Sequence, residues 1–329
     1  MRQTASTIQG VYGNEAEIGK GRPSAVTLGF FDGLHIGHTA LISRCVDFAR
    51  MHGLSADVFT FRDNPRNVMT GKLAVPRLLS ETEKLKRLKA LGVDRIFDFD
   101  FADGFHAMPP EAFAKNLIKE AFRAEAVFCG ADFRFGANAS GDAARLRALG
   151  REYGFEVYIL DSVNLDGHIV SSTLIRHLVN SGETERASRF LGRKYGLSGV
   201  VEKGKEIGRG FGFPTANIFP DPRLTLPARG VYVTETLAKG AVYNSVSNVG
   251  VNPTIAEGNA VRVEAHLLDH DVSLYGEKIT VLFRKMLRPE RRFENIEALK
   301  RQVSSDIEAA RQFFAATGAT STNAGAQDI

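Results

Sequence analysis

The chain of 329 residues is poor in cysteine, in long apolar runs and in net charge of either sign. Its two cysteines, Cys45 and Cys129, cannot build a disulfide framework or a zinc quartet, and such sparing use fits a reducing cytoplasm. No stretch of about 18 apolar residues occurs, so no membrane-spanning helix is expected. The first 21 residues are polar, carry Glu15 and Glu17, and lack the apolar centre of a signal peptide; they read as a frayed arm. Lys and Arg number 42 against 38 Asp and Glu, a net charge of +4 with no basic stripe. That balance suits a phosphate-bearing small ligand better than a nucleic acid. The remainder is ordinary globular composition, 43% hydrophobic and 24% charged. At roughly 150 residues per domain, the length implies about two domains.

The two halves differ in texture. From Ala25 to Asp161 short apolar runs alternate with helical patterns. The runs Ala25–Phe30, Ala56–Phe61, Arg95–Phe99, Ala126–Gly130 and Glu156–Leu160 read as buried strands. Between them Ala40–His52, Glu81–Leu91, Pro110–Phe122 and Asp142–Tyr153 read as helices, the second opened by a Ser80/Glu83 capping box. Such alternation predicts a parallel sheet with helices on both faces. After Arg186 glycine crowds one stretch. Strand-like runs follow at Gly230–Leu237, Ala241–Val249, Val261–Leu268 and Lys278–Phe283, an antiparallel, barrel-like pattern. One amphipathic helix carrying Ile296, Leu299, Val303 and Ile307 follows, and then a small, polar tail. The expected divisions are an arm over 1–21, an α/β domain over 22–186, a β-barrel domain over 187–312 and a disordered tail over 313–329.

The first candidate site lies where the strand at Ala25–Phe30 gives way to Phe31-Asp32-Gly33-Leu34-His35-Ile36-Gly37-His38, with a helix opening near Gly37. Gly33 and Gly37 permit a tight turn and a close backbone approach. The helix start offers free N–H groups to an anion. His35 and His38, three apart, share the entry turn and can stabilise charge on a phosphorus centre. His-x-x-His also ligates metals, but the other histidines are scattered and only two cysteines exist.

This segment resembles the His-x-Gly-His signature of the nucleotidyltransferase superfamily. Three others narrow the resemblance to the prokaryotic bifunctional riboflavin kinase/FMN adenylyltransferases: Gly130-Ala131-Asp132-Phe133-Arg134-Phe135-Gly136, Ser171-Ser172-Thr173-Leu174-Ile175-Arg176, and Phe59-Thr60-Phe61 followed by Asn64-Pro65. The family usually has His-Pro where this chain has Asn64-Pro65. Asparagine still forms hydrogen bonds but carries no charge. The resemblance implies a nucleotide site of Gly29, Phe30, Asp32, Gly33, Gly37, Asn64, Asp132, Ser171, Ser172, Thr173 and Arg176, with His35 and His38 catalytic and Phe61 against the flavin.

In the second half, Gly204-x-x-x-Gly208-Arg209-Gly210-Phe211-Gly212-Phe213-Pro214-Thr215-Ala216-Asn217 is dense enough in glycine to curl N–H groups round phosphate. It is neither a P-loop nor a dinucleotide fingerprint. Thr215 and Asn217, two apart in an extended segment, present two neutral oxygens on one side, which suits Mg²⁺. Alternation alone assigns Glu264 to a wet outer face with Arg262 and His266. Resemblance to the riboflavin kinases reverses that. Pro-Thr-Ala-Asn is their motif, and the glutamate of Val263-Glu264 is their proposed base. Asn248-Val249-Gly250-Val251-Asn252-Pro253-Thr254, Leu274-Tyr275-Gly276 and Arg288-x-x-x-Arg292-Phe293 match later segments. The resemblance thus implies nucleotide contacts at Gly204, Gly208, Gly210, Gly212 and Pro214, metal ligation by Thr215 and Asn217, and flavin contacts at Asn248, Asn252 and Arg292.

The expected fold is therefore an α/β Rossmann-like nucleotidyltransferase domain with a parallel sheet, then an antiparallel β-barrel riboflavin kinase domain with a C-terminal helix. The expected activities are phosphorylation of riboflavin by ATP and Mg²⁺, and adenylylation of the resulting FMN to FAD with release of pyrophosphate. Small molecules are the expected partners, with no nucleic acid or membrane. Two alternatives remain at this level. One is a flavin- or nucleotide-binding regulatory protein with a decayed adenylyltransferase site, suggested by Asn64. The other is nucleotidyl transfer to a different phosphorylated acceptor.

Overall fold

The computed structural model describes residues 11–12, 21–101, 104, 107–202, 213–251, 261–270, 272–318 and 322–323. Gly204, Gly208, Gly210, Gly212 and Asn252 lie outside the described residues, as do most of the arm and of the tail. The chain forms two compact units, Met1–Ser172 and Thr173–Ile329.

The elements of the first unit are β1 (Ser24–Leu28), α1 (Ile36–His52), β2 (Ser55–Phe61), α2 (Pro65–Thr70), α3 (Glu81–Ala90), β3 (Arg95–Phe99), α4 (Pro110–Ala112 continued by the π-helical Phe113–Ala121), β4 (Ala124–Gly130), α5 (Ala143–Tyr153) and β5 (Glu156–Leu160). The five strands are parallel in the order β3-β2-β1-β4-β5. Every residue of β1 is buried, as a central parallel strand requires. One core packs Ile42 and Cys45 of α1 and Leu88 of α3 on one face. The other packs Phe113, Leu117, Leu146 and Leu149 of α4 and α5 against Phe59, Phe97 and Phe99. The strand order reverses between β1 and β4, and the crevice beyond the carboxyl ends of such strands is where ligands of open α/β sheets bind. Val11–Tyr12, inside the expected arm, pairs antiparallel with β3.

The second unit comprises α6 (Ser172–Asn180, its first residue counted with the first unit), α7 (Thr184–Leu191), β6 (Tyr195–Val200), β7 (Ala216–Ile218), β8 (Gly230–Ala238), β9 (Ala241–Val251), β10 (Val261–Leu267), β11 (Lys278–Pro289) and α8 (Ile296–Thr317). Its antiparallel sheet runs β6-β11-β8-β9-β10-β7. The two ends are tied by a bridge in which Glu202 N–H donates to the Asn217 carbonyl, 2.9 Å. Alternation sends Leu197, Tyr232, Val249, Val263 and Phe283 to a fully buried interior. The outer face carries Val231, Val233 and Val246, and Ile307, Ala310 and Phe314 of α8 pack on it.

The boundary at 186/187 falls inside α7, where Ala187 and Phe190 are fully buried and the Thr184 hydroxyl donates to the Arg284 carbonyl of β11. The tail does not begin at 313: α8 continues to Thr317 because Phe314 belongs to the core. The strand β6 covers the start of the glycine-crowded stretch. A Cβ on Gly196 or Gly199 would come within 2.6 Å of Leu282 or 2.9 Å of Ile218, so these glycines allow strands to approach closely.

Candidate active sites

In the first unit the strain of the β1–α1 junction is concentrated in a few residues. Phe31, Gly33 and Leu34 have φ of 53°, 82° and 40°. A left-handed phenylalanine is costly and persists only where its surroundings over-determine it. Here the Phe31 ring folds over Gly29, whose Cβ would stand 2.7 Å from it. The turn ends on His35, the N-cap of α1, whose Nδ1 accepts from the His38 N–H at 3.2 Å. The remaining proton of a neutral His35 is therefore on Nε2, which becomes a donor. The two imidazoles stack with centroids 3.6 Å apart, and Phe31 meets His38 edge-on. Burial first, and the neighbouring His35 second, hold the His38 imidazole well below its usual pKa, so it is neutral at pH 7. Its Nδ1 is buried with no partner among the described residues. A Cβ on Gly37 would stand 3.3 Å from the His35 ring. The result is a stacked imidazole pair at a helix N-terminus, which suits an anion.

Neighbouring segments converge on this junction. Asp32 accepts from the Leu78 N–H at 2.8 Å, and its carbonyl accepts from the Ser172 hydroxyl at 2.7 Å. The Ser-Ser-Thr segment thus meets the His-x-Gly-His loop at Ser171–Ser172, while Thr173 and Arg176 follow on α6. Thr60 donates to the Phe30 carbonyl, 2.9 Å, and Phe61 closes β2. Asp132 lies exposed just beyond β4, where a Cβ on Gly130 would stand 2.8 Å from its Oδ1. Asn64 acts locally, since its Oδ1 accepts from the Arg66 N–H at 3.0 Å and caps α2. The thiols of Cys45 and Cys129 are buried, and burial pushes Cys129 up to about 12 and Cys45 higher. Neither is a nucleophile at neutral pH.

In the second unit, register builds the site. Asn217 of β7 stands opposite Glu264 of β10, which stands opposite Asn248 of β9; Asn248 faces Val231 of β8, and Val231 faces Arg288 of β11. Directly paired residues share a face, so one row crosses five strands. It forms the wall of a pocket of about 400 Å³ whose far side is Val303 and Ile307 of α8. Arg288 makes a bidentate pair with Asp306, 2.8 and 3.0 Å, and thereby ties β11 to α8. The side chain of Glu264 is only 24% exposed and contacts Arg262. Burial raises its pKa, Arg262 opposes that rise, and Glu290 adds to it. The Glu290 carboxylate lies over bare Gly250, 2.9 Å from where a Cβ would stand.

Asn217 is buried and its Nδ2 donates to the Thr215 carbonyl and Oγ1 at 3.2 and 3.4 Å. Asn217 and Thr215 both line the pocket. The His266 Nδ1 lies 2.8 Å from the Pro214 carbonyl and, since that oxygen only accepts, carries the proton. Of the expected flavin contacts, Asn248 lines the pocket. Arg292 is exposed and does not line it, whereas Arg291 and Phe293 do. Periodicity could not distinguish these neighbours in a segment without regular structure. His266, Arg262 and Glu290 also line the pocket; the alternation of Arg262 and His266 with buried residues signals only an outer face, and Glu290 lies just past the end of β11.

Comparison with known proteins follows this division. The FAD synthetase family model matches residues 18–174 and the riboflavin kinase model residues 191–314. The bifunctional riboflavin kinase/FMN adenylyltransferase of Escherichia coli (strain K12) is 37% identical over 293 residues, 89% of this chain and 93% of that protein. That of Pseudomonas fluorescens is 34% identical over 294 residues, 89% and 94% of the two chains. A crystal structure described as a macrolide-efflux protein from Streptococcus pneumoniae has a TM-score of 0.82 and 30% identity, over 90% of this chain and 96% of that one. Among the described residues no helix is long and apolar enough to cross a membrane. With two family models in that order and curated relatives matched over nearly their whole length, the chain belongs to the bifunctional riboflavin kinase/FMN adenylyltransferases.

Proposed function

We propose that the second unit phosphorylates riboflavin to FMN and the first adenylylates FMN to FAD. The observation that carries this is the row Asn217–Glu264–Asn248, which sets a carboxylate between two amides inside a pocket of ligand size. In the kinase step the terminal ribityl hydroxyl attacks the γ-phosphorus of ATP. Its proton passes to Glu264, the new O–P bond forms, and ADP departs with the β–γ bridging oxygen. A carboxylate whose pKa burial has raised is a better base than an exposed one.

Among the described residues no group of three or more His, Cys, Asp and Glu is placed to hold a metal. The oxygen donors Thr215 and Asn217 fit Mg²⁺, which binds readily through few protein oxygens, nucleotide phosphates and water. When bound there with ATP, Mg²⁺ neutralises charge on the transferring phosphate. The chain's own residues orient the rest: His266 fixes the Pro214 carbonyl, and the Asn217–Thr215 hydrogen bonds fix the donor oxygens.

In the adenylylation step a phosphate oxygen of FMN attacks the α-phosphorus of a second ATP, and the α–β bridging bond breaks to release pyrophosphate. No protein nucleophile takes part. His35 Nε2–H, the N-terminal amides of α1 and His38 stabilise the charge that builds on the phosphates. Gly29, Phe30, Asp32, Gly33, Asp132, Ser171 and Ser172 shape the nucleotide site, and Phe61 faces the flavin. Asn64 was the basis for a decayed site; capping α2 through Oδ1 leaves its amide nitrogen to donate. Buried, unbridged thiols fit a cytoplasmic setting. Incubation with riboflavin, ATP and Mg²⁺, followed by chromatographic separation of the flavins, tests the reading. It predicts FMN and then FAD, and no new flavin above background would overturn it.

A further inference from the structure

A buried charge pair that neither reaction uses stands at the site end of the parallel sheet. Lys84 of α3 and Asp98 of β3 are 6% and 0% exposed, with Nζ 3.2 Å from Asp98 Oδ1. The same ammonium donates to the Phe61 carbonyl at 2.9 Å and lies 5.8 Å from the centroid of the Phe30 ring. It therefore touches two of the residues assigned to the adenylylation site, one from the β1 loop and one from the end of β2.

Burying both charges is costly, and apolar residues of similar volume usually serve folding as well or better. Burial accordingly pushes Lys84 down and Asp98 up. The pair is also incomplete, because Asp98 Oδ2 is buried without a hydrogen-bond partner among the described residues. A second buried pair shows the contrast. At the opposite, amino ends of the same strands, Arg95 grips both oxygens of Asp57 at 3.0 and 2.7 Å, and Ser55 adds a bond of 2.7 Å. That pair is saturated, as a structural clasp should be. The unsaturated pair is the one against the site.

Lys84 holds what the strand ladder leaves loose. Phe61 is the last residue of β2, so its carbonyl lies where pairing ends. Thr60 fixes the Phe30 carbonyl and Lys84 faces the Phe30 ring. Phe61 meets Phe101 and Phe59 edge-on, at 5.2 and 5.0 Å. We propose that Lys84 is a positioning residue for adenylylation, fixing the Phe61 backbone and the Phe30 ring so that the aromatic wall is set for the planar ring of FMN. This rests on the reading that the first unit adenylylates FMN against Phe61.

The test compares the full chain with Lys84→Met, Lys84→Arg and the double variant Lys84→Met/Asp98→Leu in FMN-to-FAD turnover, with FMN and ATP varied separately. Lys84→Met is expected to raise KM for FMN about tenfold, with kcat changed less than about threefold. The double variant recovers the melting temperature lost in the single one but keeps the raised KM. Lys84→Arg returns most of the loss, and conversion of riboflavin to FMN stays unchanged throughout. A double variant with the KM of the unaltered chain would overturn the inference and leave the pair purely structural; it decides the matter even if Lys84→Met fails to fold. If the unaltered chain makes no FAD, the assigned activity fails instead. Quenching of FMN fluorescence by the unaltered chain against the double variant then decides the positioning role, equal affinities overturning it.

Discussion

Replacing Glu264 by glutamine removes one charge and almost no volume, and so isolates the carboxylate as a base. The side chain is 24% exposed and its partner Arg262 is 19% exposed. The pair is thus partly screened and worth about 1 kcal/mol or less, which does not offset the burial that raises the Glu264 pKa, so the substitution is not expected to destabilise the fold at neutral pH. Asn217 and Asn248 still flank position 264, so the flavin and nucleotide meet an unchanged surface and each KM is expected within about threefold of its original value. What disappears is proton removal in the transition state, which is typically worth 10²–10⁴ in rate, or about 3–5 kcal/mol. Chromatography of reactions started with riboflavin should show FMN formation falling by that factor, while reactions started with FMN still yield FAD at the original rate. FMN formation within about tenfold of the unaltered chain would refute Glu264 as base. Loss of both reactions would refute two independent sites.

Two further perturbations probe charge placement. Because burial raises the pKa of Glu264 and the base must be ionised, riboflavin phosphorylation should fail on acidification at a pH above the ordinary glutamate value of about 4.3. For stability the sign runs the other way: the contribution of this group is complete below about 4.3 and is lost as pH rises through the folded-state pKa, visible as Glu264→Gln gaining stability relative to the unaltered chain at neutral pH. Asp57→Ala strands the buried Arg95 at the amino ends of β2 and β3 and should cost the first unit about 3–5 kcal/mol in urea melts. It should leave KM for riboflavin unchanged; a change there would contradict separate folding of the units.

The parallel half was legible because its strands are continuous apolar runs and its helices carry their own signals. Arg95–Phe99 and Glu156–Leu160 fall where their runs placed them, and Ser80 caps α3 as its spacing implied. The barrel half was less so. Lys278–Phe283 continues to Pro289, because β11 pairs with both β6 and β8 and the mixed Arg284–Pro289 stretch follows the sheet. Glu264 shows the limit most plainly. Alternation placed it on an outer face, which is correct. That α8, more than thirty residues further on, covers that face and turns it into a pocket is a tertiary fact without local signature. The Lys84–Asp98 pair was invisible for the same reason, since a lysine in an amphipathic helix reads as solvated until the sheet end beneath it is seen.

Complementation between two disabled chains tests the central claim most directly. Glu264→Gln should lack the kinase step alone, and the chain carrying His35→Ala with His38→Ala should lack adenylylation alone. Given riboflavin, ATP and Mg²⁺, the first should produce almost no new flavin, and the second should accumulate FMN. Mixed in one vessel, they should make FAD, because FMN released by one chain is the substrate of the other. FAD in the mixture, absent from either chain alone, is the predicted result. A mixture that accumulates FMN without FAD, although the Glu264→Gln chain is folded, would contradict the account of two units that each complete one reaction.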